Sequence, residues 1–141
     1  MIKEKFNLEG KVAVITGASK GIGKAIALGF AEFGAHVVVS SRSEEAVKNV
    51  ETEFKSKGFS VSSLKCHVGN KEDRINLIET TLKAHGRIDI LVNNAGTNPY
   101  FGPIHKMPAE AYQKTMDINL NSAIELSNLV YPIIKSQNSG N

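Results

Sequence analysis

Three glycines, Gly17, Gly21 and Gly23, punctuate the run VAVITGASKGIG at residues 12–23, where a short apolar segment breaks and an amphipathic one begins. Each residue type there answers a geometric demand. Val12, Val14 and Ile15 are β-branched around Ala13, the composition of a strand covered on both faces. The glycines let the backbone turn, come close to a pyrophosphate and pack the following helix against the strand. A helix opening near Ile22 aims free N–H groups and its positive dipole end at that phosphate. Ser19, Lys20 and Ile22 fill the loop between and beside the glycines, and the segment as a whole reads as a nucleotide site.

A second position bears on which nucleotide. At the end of the apolar run HVVVS, an acid would accept bonds from both hydroxyls of an adenosine ribose and so select NAD. Ser41 stands there instead, followed by Arg42. Serine leaves room for a 2′-phosphate, and a guanidinium matches phosphate geometry with two parallel hydrogen bonds. Lys20 adds a second positive charge on the same side. Solvated surface charges are the alternative reading of Lys20 and Arg42. Both departures point toward NADP(H).

The spacing from Thr16 to Gly23 is T-G-x-x-x-G-x-G rather than the general G-x-G-x-x-G, and it resembles the short-chain dehydrogenase/reductase (SDR) family of the classical type. The segment LVNNAG, residues 91–96, resembles that family's N-N-A-G motif. There small Ala95 and Gly96 let the backbone approach the nicotinamide ribose, Asn94 borders the same cofactor site, and the Asn93 and Asn94 amides can tie the loop to neighbouring strands. In CHVG, residues 66–69, the family often has an aspartate at the position of His67, contacting the adenine amino group. Histidine cannot do that as a carboxylate would, so His67 is either an adenine neighbour or a polar strand-end residue, while Val68 can pack on the adenine ring. Asn119 lies mid-helix in MDINLNSA, where asparagine is a poor helix former. The resemblance makes it the active-site asparagine that helps hold a water in a proton relay to a catalytic lysine. The nearby Asn121 reads as an exposed asparagine.

The same resemblance implies a reaction centre that this chain lacks: a serine after a fifth strand, then Tyr-x-x-x-Lys on the next helix. The tyrosine would act as general acid/base on the substrate oxygen, its pKa lowered by the lysine. Tyr131 and Lys135 have that spacing, but they share the helix of Asn119, too early in the chain, with Pro132 between them. Tyr131 is expected to pack at the helix end. The implied reaction is hydride transfer between NADP(H) and a ketone or aldehyde, or the corresponding alcohol. SSR, CHVG and NPYFGPI look most like the carbonyl and retinal reductase subgroup, with substrate entering over residues 98–107. Members assemble as dimers or tetramers through the Asn119 helix and the one after it. The chain is expected to be the N-terminal portion of such a fold, marginally stable and without carbonyl reduction of its own, or else a non-catalytic NADP-binding module.

Composition agrees with these readings. A chain of 141 residues with 41% hydrophobic and 22% charged residues fits one soluble domain. A net charge of +3, with Lys and Arg spread along the chain, gives little support for nucleic-acid or membrane-surface binding. No apolar run is long enough for a membrane span, and Met1 to Phe6 has no leader character. The single cysteine, Cys66, fits a reducing, cytoplasmic setting. His36, His85 and His105 are scattered without ligand spacing, so no metal is expected.

Strand and helix patterns alternate along the chain, predicting an α/β, Rossmann-type doubly wound parallel sheet over residues 1–141. Strands are expected at 11–15, 36–40, 59–66 and 88–92, in the order 3-2-1-4, with the fourth left as an apolar edge. The first helix carries Ile22, Ala25, Ile26, Gly29, Phe30 and Phe33 as its inward stripe, ended by Gly34. Helices follow at 44–57 and 71–85, the latter with Ile75, Ile78 and Leu82 inward. An irregular loop at 97–108 precedes one long helix at 109–135, and the tail 136–141 carries no structural signal.

Overall fold

The computed structural model describes residues 1–141, the side chains of Ile2 and Lys3 excepted. A single helical turn α1 (Ile2–Lys5) precedes β1 (Val12–Thr16), α2 (Gly21–Glu32), β2 (His36–Ser41), α3 (Glu44–Ser56), β3 (Val61–Lys65), α4 (Lys71–His85) and β4 (Ile90–Val92). The four strands form one sheet in the order β3-β2-β1-β4, and every pair is parallel. This is the doubly wound α/β arrangement that the alternating pattern predicts.

Side chains alternate across the sheet and build two cores. Ala13, Ile15, Val37 and Val39 face α2 and α3, meeting Ala27, Val47 and Phe54. Val12, Val14 and Val38 face the other way, onto Leu77 and Ile78 of α4 and onto Leu126 and Val130. Strand β1 is buried along its whole length, as a central parallel strand must be.

The inward faces of two helices differ from the expected ones. On α2 the buried residues are Gly23, Ala27 and Ala31, whereas Ile22 is 75% exposed and Ala25 is exposed as well. The helix axis runs so close to β1 that only small residues fit beneath it, and the larger Ile26 and Phe30 pack half-buried at its sides. On α4 the buried face is Arg74, Leu77, Ile78 and Thr81. Of the expected residues, Ile78 is buried, and Ile75 and Leu82 are half-buried. Arg74 and Thr81 go inside because their polar atoms are satisfied there: Arg74 Nη1 donates to the Val68 carbonyl at 2.7 Å and Thr81 Oγ1 to the Leu77 carbonyl at 2.7 Å.

The expected long helix is three pieces: α5 (Ala109–Met116), a π-helical segment (Asp117–Asn121) and α6 (Ser122–Gln137), which accommodates Pro132. Within the loop before it lies one 3₁₀ turn, Ile104–Lys106. The tail has structure. Gln137 pairs its side-chain amide with both backbone groups of Ile88, and Asn138, at φ 52°, ends α6. Asn141 then bonds the β4 edge through Asn141 N–H to Asp89 O (2.8 Å) and Leu91 N–H to Asn141 O (3.0 Å). Strand β4 is shorter than expected, and its residues are half-buried rather than fully buried because the sheet has strands on only one side of it. Among the described residues, no helix is long and apolar enough to cross a membrane.

Two histidines that the sequence separates are brought together at the far end of the sheet. The His36 and His85 rings lie 4.0 Å apart, and both ring nitrogens of His36 meet serine hydroxyls, Ser60 at 2.7 Å and Ser62 at 3.0 Å. Burial, then the neighbouring His85 charge, pushes the His36 pKa down to about 4, with Lys55 acting the same way and Glu51 opposing. The unfolded chain therefore binds a proton at His36 more readily than the folded one, and stability falls as pH drops from about 6.5 to about 4. Discounting for solvent screening, the loss is about 1–2 kcal/mol. Urea unfolding at pH 7 and pH 4.5 tests this: His36→Asn should remove most of the pH dependence, and an equal fall in both proteins would contradict it.

Candidate functional site

The site lies where the C-terminal ends of the strands open, and its frame is a latch between two loops. Thr16, the last residue of β1, accepts the backbone N–H groups of Asn94 and Ala95 on Oγ1, both at 3.1 Å. Asn94 returns the tie, its side-chain amide donating to the carbonyls of Thr16 (3.0 Å) and Gly17 (3.1 Å). Asn93 reaches Ser127 Oγ on α6 at 3.3 Å. Asn94 thus ties the loop to the neighbouring strand as expected, whereas Asn93 ties it to a helix rather than to a strand.

The three glycines have distinct places in this frame. Gly17 has φ of 64°, and a Cβ on it would stand 2.9 Å from Ala95 Cα. Gly23 is tighter still, its Cβ falling 2.4 Å from Asn94 Nδ2 and 2.5 Å from the Gly17 carbonyl oxygen. Both are required by protein packing against protein. Gly21 differs: its φ is 57° and a Cβ there would meet nothing within 4 Å. Of the three, it is the one that leaves space beside the start of α2.

That space is a cavity of about 360 Å³. Most sequence-predicted residues line it: Gly17, Ser19, Lys20, Gly21, Ser41, Arg42, His67, Val68, Asn94, Ala95 and Gly96. Cys66, Thr97, Lys114 and Ile118 line it too, and the strand-end motifs do not reveal them. Lys114 and Ile118 stand one helical turn apart, so a single helix face carries both, and that spacing is the only sequence signal they give. Ile22, Gly23 and Asn119 were expected at the site and do not line the cavity. Ile22 points to solvent, Gly23 is buried under the loop, and the Asn119 side chain faces the neighbouring segment.

The cavity is basic. Lys20, Arg42 and Lys114 all contribute to its wall, and no Asp or Glu does. At its floor α2 begins without a side-chain cap, whereas Ser43 caps α3 and Asn70 caps α4. The uncapped N–H groups of α2 are free for an anion. The Ser41 hydroxyl is turned aside, donating to Ser43 O and accepting from Ser43 N, which leaves the mouth to Arg42. Cys66 is inert here, because burial pushes its thiol up to about 11.

Asn119 sits in the π-helical segment and clasps residue 97. Its Oδ1 accepts the Thr97 N–H at 2.7 Å and its Nδ2 donates to the Thr97 carbonyl at 2.9 Å. Such widened turns are common at functional sites. Tyr131 does not pack at the helix end as expected. It is 62% exposed on α6, with Lys135 Nζ 5.8 Å from its ring centroid, and it lies outside the cavity lining.

Comparisons with known proteins agree with this frame. The family model "short chain dehydrogenase" matches residues 11–141. The human protein "Dehydrogenase/reductase SDR family member 4" is 44% identical over 133 residues, covering 94% of this chain and 48% of the human one. Its Caenorhabditis elegans namesake is 38% identical, covering 94% of this chain and 51% of that protein. Among solved structures, a metagenomic short-chain oxidoreductase in complex with NADP superposes with a TM-score of 0.90 at 36% identity, over 94% of this chain and 60% of the other. The chain spans about half the length of the curated relatives it matches. With a match that begins just before β1 and runs to the last residue, and a sheet in the matching order, this chain belongs to the short-chain dehydrogenase family.

Proposed function

We propose that this chain forms the NADP(H)-binding half of an oxidoreductase acting on ketones or aldehydes and the corresponding alcohols. The observation that carries the reading is Arg42 at the mouth of a cavity whose wall holds Lys20 and Lys114 but no carboxylate. The residues present fit the cofactor on two grounds. The start of α2 lacks a side-chain cap, and a Cβ at Gly21 would project into empty space. Gly21 and the first N–H groups of α2 would hold the pyrophosphate, and Arg42 and Lys20 would hold the 2′-phosphate. Asn94, Ala95 and Gly96 border the nicotinamide end. Bound there, the cofactor supplies a hydride to a carbonyl carbon or accepts one from an alcohol.

The remaining roles belong to the chain's own side chains. Thr16 and Asn94 hold the β1 and β4 loops at a fixed separation, so the floor of the site is preformed. Asn119 is a positioning residue that orients the Thr97 segment beside Gly96. Phe101 and Ile104, 97% and 77% exposed, offer an apolar approach for a small carbonyl or alcohol substrate, in keeping with the carbonyl and retinal reductase subgroup. The exposed apolar face of Tyr112, Leu120 and Ile124 is where a homo-oligomer would form.

Titration of the 141-residue chain with NADPH and NADH tests the reading. NADPH should bind at least tenfold more tightly, and Arg42→Ala should reduce that preference by about ten- to a hundredfold. Equal affinity for the two, or a preference untouched by the substitution, would refute it.

A further inference from the structure

With the ribose at the end of β2 and the pyrophosphate at the start of α2, the base must extend toward β3, because the sheet runs β3-β2-β1-β4. The cavity is walled in part by Val68 and Ile118, both buried, and by His67, which also lines an adjoining cavity with Arg42, Asn70 and Asp73. The His67 ring folds back on its own loop, where Nδ1 accepts the Gly69 N–H at 3.1 Å. A neutral imidazole carries one proton, so here it stands on Nε2, a donor with no protein partner among the described residues. Gly69 is matched to this arrangement. A Cβ there would stand 2.9 Å from His67 Cε1 and 2.7 Å from Ile118 Cδ1. Asp73 holds the backbone that carries the ring, Oδ2 accepting the His67 N–H at 2.8 Å. Lys114, which also lines the cavity, is a donor only.

We propose that His67 determines base specificity by reading the purine through an acceptor atom, so that the site takes 6-oxopurine (hypoxanthine) and 6-aminopurine (adenine) nucleotides alike. The inference rests on the nucleotide reading above. Adenine presents acceptor ring nitrogens beside a donor amino group, and a 6-oxopurine puts an acceptor carbonyl where that amino group stands. On the edge of the base that carries N7 and the 6-substituent, a carboxylate at position 67 could bond only the amino group and would oppose the carbonyl. An Nε2–H donor meets a ring nitrogen or the carbonyl equally well. Sites that discriminate strongly do so by leaving a buried polar group unpaired with the wrong ligand, and neither base leaves this donor unpaired.

The test is a fluorescence titration of the 141-residue chain with NADPH and with reduced nicotinamide hypoxanthine dinucleotide phosphate, repeated with His67→Asp and His67→Asn. The wild-type dissociation constants should agree within about threefold, and His67→Asp should favour NADPH by about tenfold or more. His67→Asn, which adds no second carboxylate beside Asp73, should fall between them. A tenfold wild-type preference for NADPH would overturn the inference alone, as would a ratio unchanged in both variants. Failure of both nucleotides to bind would bring down the proposed function and this inference with it. Loss of the 2′-phosphate preference would count against the proposed function and leave the base comparison intact.

Discussion

Gly23→Ala is expected to lower stability by about 3 kcal/mol and to abolish nucleotide binding. The added methyl group would stand 2.4 Å from Asn94 Nδ2 and 2.5 Å from the Gly17 carbonyl oxygen, and the second of these is backbone that cannot rotate away. Either α2 must lift from β1 or the Asn94 amide must leave Thr16 and Gly17, breaking bonds of 3.0 and 3.1 Å. Both responses distort the floor of the cavity. Gly21→Ala is the informative comparison. It meets no atom within 4 Å and carries only the strain of φ at 57°, about 1 kcal/mol. Thermal unfolding should therefore separate the two variants by several degrees. A melting temperature for Gly23→Ala within experimental error of Gly21→Ala would show that the latch is softer than its geometry implies.

Asp89→Ala should be at least as damaging, about 3–5 kcal/mol. The carboxylate is 2% exposed and lies just before β4. It accepts the Val12 N–H at 2.9 Å and both Arg87 Nε (2.8 Å) and Nη2 (2.6 Å), with Lys11 Nζ at 3.6 Å. Removing it leaves the N–H that opens β1 buried without an acceptor, and two cations without their counter-charge. Burial by itself would raise the Asp89 pKa. The Arg87 guanidinium, the Val12 N–H and Lys11 outweigh it and hold the carboxyl below its ordinary value. The folded state thus favours the charged form. Stability from this group is complete above the unfolded carboxylate pKa and is lost as pH falls through the lower folded one. Urea unfolding near pH 7 would measure the substitution, and a change under 1 kcal/mol would contradict the account. The acid response then has two stages, His36 between about 6.5 and 4 and Asp89 below it.

These two residues illustrate different degrees of legibility. The glycine corner, the strand alternation, helix α4 at Lys71–His85 and the family resemblance can all be read directly from the chain, because each is a local pattern with a local cause. Lys20, Ser41 and Arg42 can be assigned to the site because they occupy fixed offsets from strand ends. Asp89 cannot, since within IDILV it is a single polar interruption, and of its three partners only Arg87 is a sequence neighbour, whereas Lys11 and Val12 lie far away at the start of β1. Hydrophobicity misleads on α2 for a related reason: the inward face is chosen by how near the helix comes to β1, so Gly23, Ala27 and Ala31 displace Ile22. The tail is unreadable because Gln137 and Asn141 act as isolated residues, each bonding backbone groups around β4, and leave no periodicity.

What the sequence by itself determined is the order of strands and helices, the glycine corner and the charge at the end of β2, each fixed by short-range sterics and spacing. Only the tertiary structure decided which side chains meet across the cavity. Lys114 and Ile118 reach it from a distant helix, and Asn119, expected to hold a water in a proton relay, grips Thr97 instead. The physical reason is that backbone geometry repeats along the chain and can be read in order, whereas a side-chain partner is set by three-dimensional proximity, which no local pattern encodes.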